Sequence, residues 1–111
     1  MTKDDQLDAA FSALAHPARR AILAQLAQGT ASVNALAEPF DMTLPAVSKH
    51  IRVLEHAGLI SREKDAQFRL CKLETAPIQE IASWTEQYRS IWEARFDTLD
   101  TLLADMKEND T

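Results

Sequence analysis

Lys49, Arg52, Arg62, Lys64 and Arg69 lie close together in an otherwise acidic chain, and each carries chemistry suited to an anion. Residues 43–72 hold six Lys/Arg against three Asp/Glu, a net of +3. The residues before them sum to −2, those after to −6, and the 111-residue chain to −5. Lysine and arginine are the side chains that meet phosphate oxygens and the acceptor edge of guanine. A local basic footprint counts for more than the total charge.

Other chemistries find less support. No Ser/His/Asp set, Gly-rich phosphate loop or pair of catalytic acids stands out, so the chain is not expected to be an enzyme or to need a cofactor. Cys71 is the single cysteine, which excludes an internal disulfide and fits a reducing compartment. Oxidation of a thiol beside a basic surface would alter that surface. With no resolving cysteine, a small strand residue is the better reading. His16, just before Pro17, reads as a helix-start residue, and His56 suits the negative end of a helix.

These residues fall on elements that periodicity and capping residues define. Leu7, Phe11, Leu14 and Ala15 form one helical stripe. Pro17 suits the first position of a second helix, with Ile22, Leu23 and Leu26 at helical spacing and Gly29 as its stop. Ser32 caps a short helix, and Thr43 caps the next, which has Pro45 in its first turn and ends at Gly58. Two helices joined by a turn of about four residues outline a helix-turn-helix. After Gly58 two short β-prone runs flank a turn at residues 64–67, a hairpin that would form a wing. Pro77 then opens one helix of roughly thirty residues ending near Lys107.

At 100° per residue, Val47, Ile51 and Leu54 share the core side of the helix begun at Thr43. Pro45, Lys49, Arg52 and His56 point the opposite way, flanked by Ala46, Ser48 and Val53. Small residues admit a base-pair edge, the cations supply contacts to it, and Thr43 at the helix start is counted with them as a DNA contact. Alone, such a stripe is an ordinary solvated face. Beside a cationic hairpin (Arg62, Lys64, Gln67, Arg69) and Arg19 and Arg20, it becomes a surface for DNA phosphates. Some of those arginines could instead pair with the acidic helices. Two roles stay open for His50, near the core edge of the wheel: a packed, hydrogen-bonded ring or a phosphate contact.

The segments "LAHPARRAILAQL", "LAEPFDMTLPAVSKHIRVLEHAGLI" and "SREKDAQFRL" resemble helix 2, the helix-turn-helix and the wing of the ArsR/SmtB winged helix-turn-helix repressors. The resemblance covers roughly residues 7–75 closely and the last helix more loosely. It implies a homodimer that represses transcription until an effector releases the operator. Two-fold symmetry would make that operator an inverted repeat, and without a signal peptide or membrane span the expected address is the cytoplasm. It places Ser48, Lys49 and His50 in the recognition helix. Many relatives of this kind sense metals, through a cysteine pair in the first helix of the helix-turn-helix or Asp/His/Glu ligands on the last helix. Residues 32–40 contain no cysteine and residues 77–107 no histidine, so no metal site is expected.

The last helix repeats apolar residues at intervals of three and four: Ile78, Ile81, Trp84, Tyr88, Ile91, Trp92, Phe96, Leu99, Leu102, Leu103 and Met106. So small a domain cannot cover all of this, and the remainder should face a second copy. The expected interface is Leu7, Phe11, Leu14, Ile81, Tyr88, Trp92, Leu99, Leu102 and Met106.

The expected architecture is mostly α with a small β-hairpin wing. It is a single domain over 1–111, with a DNA-binding core and wing at 16–75 and dimerisation helices at 1–15 and 77–107. Neither a signal peptide nor a membrane span is expected. The DNA-binding reading competes with a winged-helix protein-interaction module, which would not need the basic stripe. It also competes with a small-molecule-responsive repressor with a pocket near Trp84 and Trp92.

Overall fold

The computed structural model describes residues 2–65 and 68–109. Two compact units divide the chain, Met1–Ile81 and Ala82–Thr111. The order of elements is α1 (Lys3–Leu14), α2 (Pro17–Leu26), α3 (Val33–Ala37), α4 (Leu44–His56), β1 (Ile60–Asp65), β2 (Phe68–Leu73), α5 (Ala76–Glu86) and α6 (Arg89–Asn109). This is the mostly helical, hairpin-bearing arrangement the periodicity predicts.

Local chemistry sets the helix starts. The Thr2 hydroxyl accepts from Asp5 N–H while the Asp5 carboxylate accepts from Thr2 N–H, a reciprocal cap on α1. The His16 ring caps α2 through Nδ1, which accepts from Ala18 N–H at 3.1 Å, and Pro17 follows at the first turn. Ser32 and Thr43 cap α3 and α4 by accepting from Ala35 and Ala46 N–H.

Gly58 ends α4 at a φ of 78°, a left-handed conformation that favours glycine. Its N–H donates to Glu55 O and that of Leu59 donates to Leu54 O, a paired closure that turns the chain into the wing.

The core of the first unit gathers Ala13, Ile22, Leu23, Leu26, Leu36, Val47, Ile51, Leu54, Leu59, Ile60 and Cys71. Full burial of an Ile or Leu side chain contributes about 1.5–3 kcal/mol, so Val47, Ile51 and Leu54 dominate the seating of α4. Cys71 is wholly buried among them, as a small strand residue. It also makes an antiparallel bridge that spacing did not reveal. Its N–H donates to Ala31 O at 2.8 Å and its carbonyl accepts from Ala31 N–H at 3.2 Å.

One expectation needs correction. The single long helix is broken at Gln87 and Tyr88. The Thr85 hydroxyl donates to Ala82 O and the Gln87 amide to Trp84 O, and Tyr88 N–H bonds only three residues back, to Thr85 O. Side chains competing for helical carbonyls thus break the ladder without a glycine or proline. On α1 the innermost residues are Ala10 and Ala13, and Leu14 packs against the core of its own chain. Leu14 lies four residues beyond Ala10 and so turns inward with it. Phe11 stays on the outer side, 38% exposed.

Candidate nucleic-acid interface

β1 and β2 pair antiparallel, with Ile60 opposite Leu73, Arg62 opposite Cys71, and Lys64 opposite Arg69. Side chains alternate along a strand, so these six residues share one face of the hairpin. That face is apolar at its base, where Ile60 and Cys71 are buried, and cationic beyond it, where Arg62, Lys64 and Arg69 are exposed. The apolar base anchors the wing to the core and carries the cations past the edge of α4. Gln67 lies outside the described residues.

On α4 the face opposite Val47, Ile51 and Leu54 is solvent-exposed at Pro45, Lys49, Arg52 and His56. Ala46 and Ser48 are half-buried at its edge. Between this helix and the wing lies a groove of about 390 Å³, lined by Arg52, Glu55, Arg62, Glu63, Lys64 and Arg69. Four cations outnumber two acids there. Glu55 is a residue that charge counting had not singled out. Its Oε2 accepts from Arg62 Nε at 3.1 Å and ties the wing to the helix. Strand register decides that contact, and register is not visible in residue spacing.

Other expected site residues are engaged elsewhere. The exposed Thr43 hydroxyl accepts from Ala46 N–H as the cap of α4, which leaves its own proton to donate. His50 is half-buried, its ring centroid 4.4 Å from that of His16 and its Nδ1 3.4 Å from Arg19 Nη1. Burial first, then the charges of His16, Arg19 and Lys49, hold its pKa below the usual histidine value. Among the described residues neither Arg19 nor Arg20 pairs with an acid, and neither lines the groove. Arg19 donates to Ala13 O and Ser12 O, and Arg20 to Leu14 O, closing the carbonyl end of α1.

Among the described residues no three His, Cys, Asp or Glu side chains gather closely enough to hold a metal ion, and no helix is long and apolar enough to cross a membrane. A cavity of about 400 Å³ lies between α1, the end of α4 and the start of α5, lined in part by Leu7, Ala10, His56, Pro77 and Glu80.

A helix-turn-helix domain family matches residues 14–63, which span α2 through most of β1. The chain is 34% identical over 74 residues to the transcriptional repressor SdpR of Bacillus subtilis, covering 67% of this chain and 82% of that protein. A crystal structure of an ArsR family transcriptional regulator, RHA00566, superposes with a TM-score of 0.73 at 41% identity. The match covers 83% of this chain and 95% of that one. This chain belongs to the ArsR family. Similarity extends to the HTH-type transcriptional regulator Rv2034 of Mycobacterium tuberculosis, 39% identical over 67 residues, covering 60% of this chain and 63% of that protein. These relatives are regulators rather than enzymes. In this ArsR-family chain α3 and α4 form the helix-turn-helix, and β1–β2 is the wing.

Proposed function

We propose that this protein is a homodimeric transcriptional repressor that binds an inverted-repeat DNA operator. The observation that carries the reading is the groove between the recognition helix and the wing, where Arg52, Arg62, Lys64 and Arg69 converge. A duplex laid against α4 meets Lys49 and Arg52 in its major groove and the wing cations along its backbone. Pro45, Ala46 and Ser48 leave room at the helix start for a base-pair edge. The repressor named among its relatives supports the same direction of control.

The second copy is inferred from α6. Phe96 is 64% exposed and Leu99 50%, on a helix that also exposes Trp92, Leu102 and Met106. An apolar seam of this length at intervals of three and four suits pairing with an identical helix. Ile81 on α5 and Tyr88 at the break before α6 would extend that interface, and Leu7, Phe11 and the half-buried Leu14 would add to it on α1. Residues 16–75 then form the DNA-binding core and wing, and 1–15 and 77–107 the dimerising helices. No catalytic, cofactor or metal-sensing role is assigned, and the cytoplasm is its place of action.

Selection of duplexes from a random library by the purified protein tests this reading. The expected product is an inverted repeat with half-sites about one DNA turn apart, near 34 Å, or a multiple of it. Recovery of single, unrepeated sites would contradict the dimeric mode.

A further inference from the structure

We infer that Arg19 is a positioning residue for DNA recognition, pinning the recognition helix to the end of α1 through His50 while the His50 ring is neutral. The inference rests on the DNA-binding reading above.

Helix α1 has no basic residue in its last turn, so its terminal carbonyls lack a cation of their own. Arg19 supplies one from α2. Its Nε donates to Ala13 O at 2.6 Å and its Nη2 to Ser12 O at 3.3 Å, while Nη1 lies 3.4 Å from His50 Nδ1. A guanidinium only donates, so Nδ1 is the acceptor and the proton of the neutral ring sits on Nε2. The fork is planar and rigid, and fixing two of its arms on α1 fixes the direction of the third. His16 closes the other side, its ring held by its own cap on α2 and tilted 49° against that of His50.

His50 is therefore gripped on the flank of α4, between the exposed Lys49 and the fully buried Ile51. Core packing of Val47, Ile51 and Leu54 sets the depth and the facing of the helix. The contact on its flank restrains the small rotation that remains, and that rotation decides where Lys49 and Arg52 reach. Recognition groups need placement to within about 0.5 Å, which makes a small rotation consequential.

Protonating His50 at Nδ1 would turn the acceptor into a donor facing another donor, and would set two like charges against each other. The groups facing it all oppose a positive ring: Arg19 from α2, His16 from the junction of α1 and α2, and Lys49 from its own helix. A depressed histidine pKa means that the unfolded chain binds the proton more readily than the folded one. Its stabilising contribution is thus complete above the ordinary histidine range and is lost as the pH falls toward the folded value.

The test uses full-length protein and two duplexes of equal length, one selected by the wild type from a random library and one scrambled. Their affinity ratio cancels the general gain in charge on acidification. Arg19→Gln should lower the ratio roughly tenfold at neutral pH, the size of a modest coupling between sites. It should also move the NMR titration of His50 to higher pH, because a like charge is gone. His50→Asn places an amide oxygen where Nδ1 lies, still accepting from Arg19 but unable to take up a proton. Its ratio should stay flat from about pH 7.5 to about pH 5.5, where the wild type loses discrimination. Should Arg19→Gln fail to fold, the comparison of wild type with His50→Asn decides alone. Matching pH profiles for those two proteins, or a ratio untouched in folded Arg19→Gln, would overturn the pin. Failure of the wild type to select any sequence would instead defeat the DNA reading. The pin would then stand or fall on whether Arg19→Gln shifts the His50 titration.

Discussion

Arg62 Nε donates to Glu55 Oε2 across 3.1 Å, so the wing and the recognition helix are joined by a charged hydrogen bond inside the basic groove. Both side chains are partly exposed, at 33% and 38%, and the pair contributes no more than about 1 kcal/mol to stability. Its effect on DNA should be larger than its effect on folding. Glu55→Gln removes a negative charge from the groove and frees Arg62 for phosphate. Affinity for any duplex should rise, and the slope of log affinity against log salt should steepen by about 0.9, the increment for one more phosphate contact. Fluorescence anisotropy over a salt series measures both, and an unchanged slope would show that Arg62 does not reach the backbone.

Assembly is tested on α6. Leu99→Glu or Leu102→Glu would place a carboxylate in the proposed seam of both copies at once, at a cost of several kcal/mol. Sedimentation should show a dimer at micromolar concentration for the wild type and monomer or unfolded chain for either variant. A monomeric wild type would remove the homodimer from the account.

Cys71 should behave as a core residue. Burial, the largest cause, outweighs the nearby Arg62 charge and pushes its thiol pKa up. Thiolate is the reactive form, so a thiol reagent should label native protein slowly, at a rate that follows the opening of the fold. Rapid stoichiometric labelling without loss of helical signal would restore the redox reading.

DNA release should not depend on zinc, cadmium, copper or arsenite. The cysteine pair and the terminal-helix histidines that metal sensing in this family would use are missing from 32–40 and 77–107. A ligand without different affinity for two states cannot shift their balance. Titration of the chelator-treated protein on its selected duplex should leave it bound. Stoichiometric release at low micromolar metal, abolished by replacing a histidine or Cys71, would reveal a site.

What was legible in the sequence was local. Pro17, Ser32, Thr43 and Gly58 act on backbone groups within a few residues of themselves, so the bounds of α2 to α4 followed from spacing. The cationic stripe on α4 followed from helical geometry alone. Contacts set by tertiary register did not. The Ala31–Cys71 bridge joins segments forty residues apart, and Glu55 meets Arg62 only because the hairpin folds back beside α4. Arg19 and Arg20 were readable as positive charge but not as caps, since their acceptors are backbone carbonyls without any sequence signal. The break before α6 was hidden for a similar reason: Thr85 and Gln87 compete for carbonyls while looking like ordinary helix residues.

Lys49 and Arg52 carry the central claim, being exposed on the recognition helix beside the wing. Affinity for the selected duplex, measured from low to physiological salt, tests it most directly. The account predicts nanomolar-range binding that weakens steeply with salt. Lys49→Ala or Arg52→Ala should cost roughly 1–3 kcal/mol and relax preference at single base positions, whereas Lys64→Ala should weaken all sequences alike. Binding indifferent to salt, or untouched by Lys49→Ala and Arg52→Ala together, would contradict it.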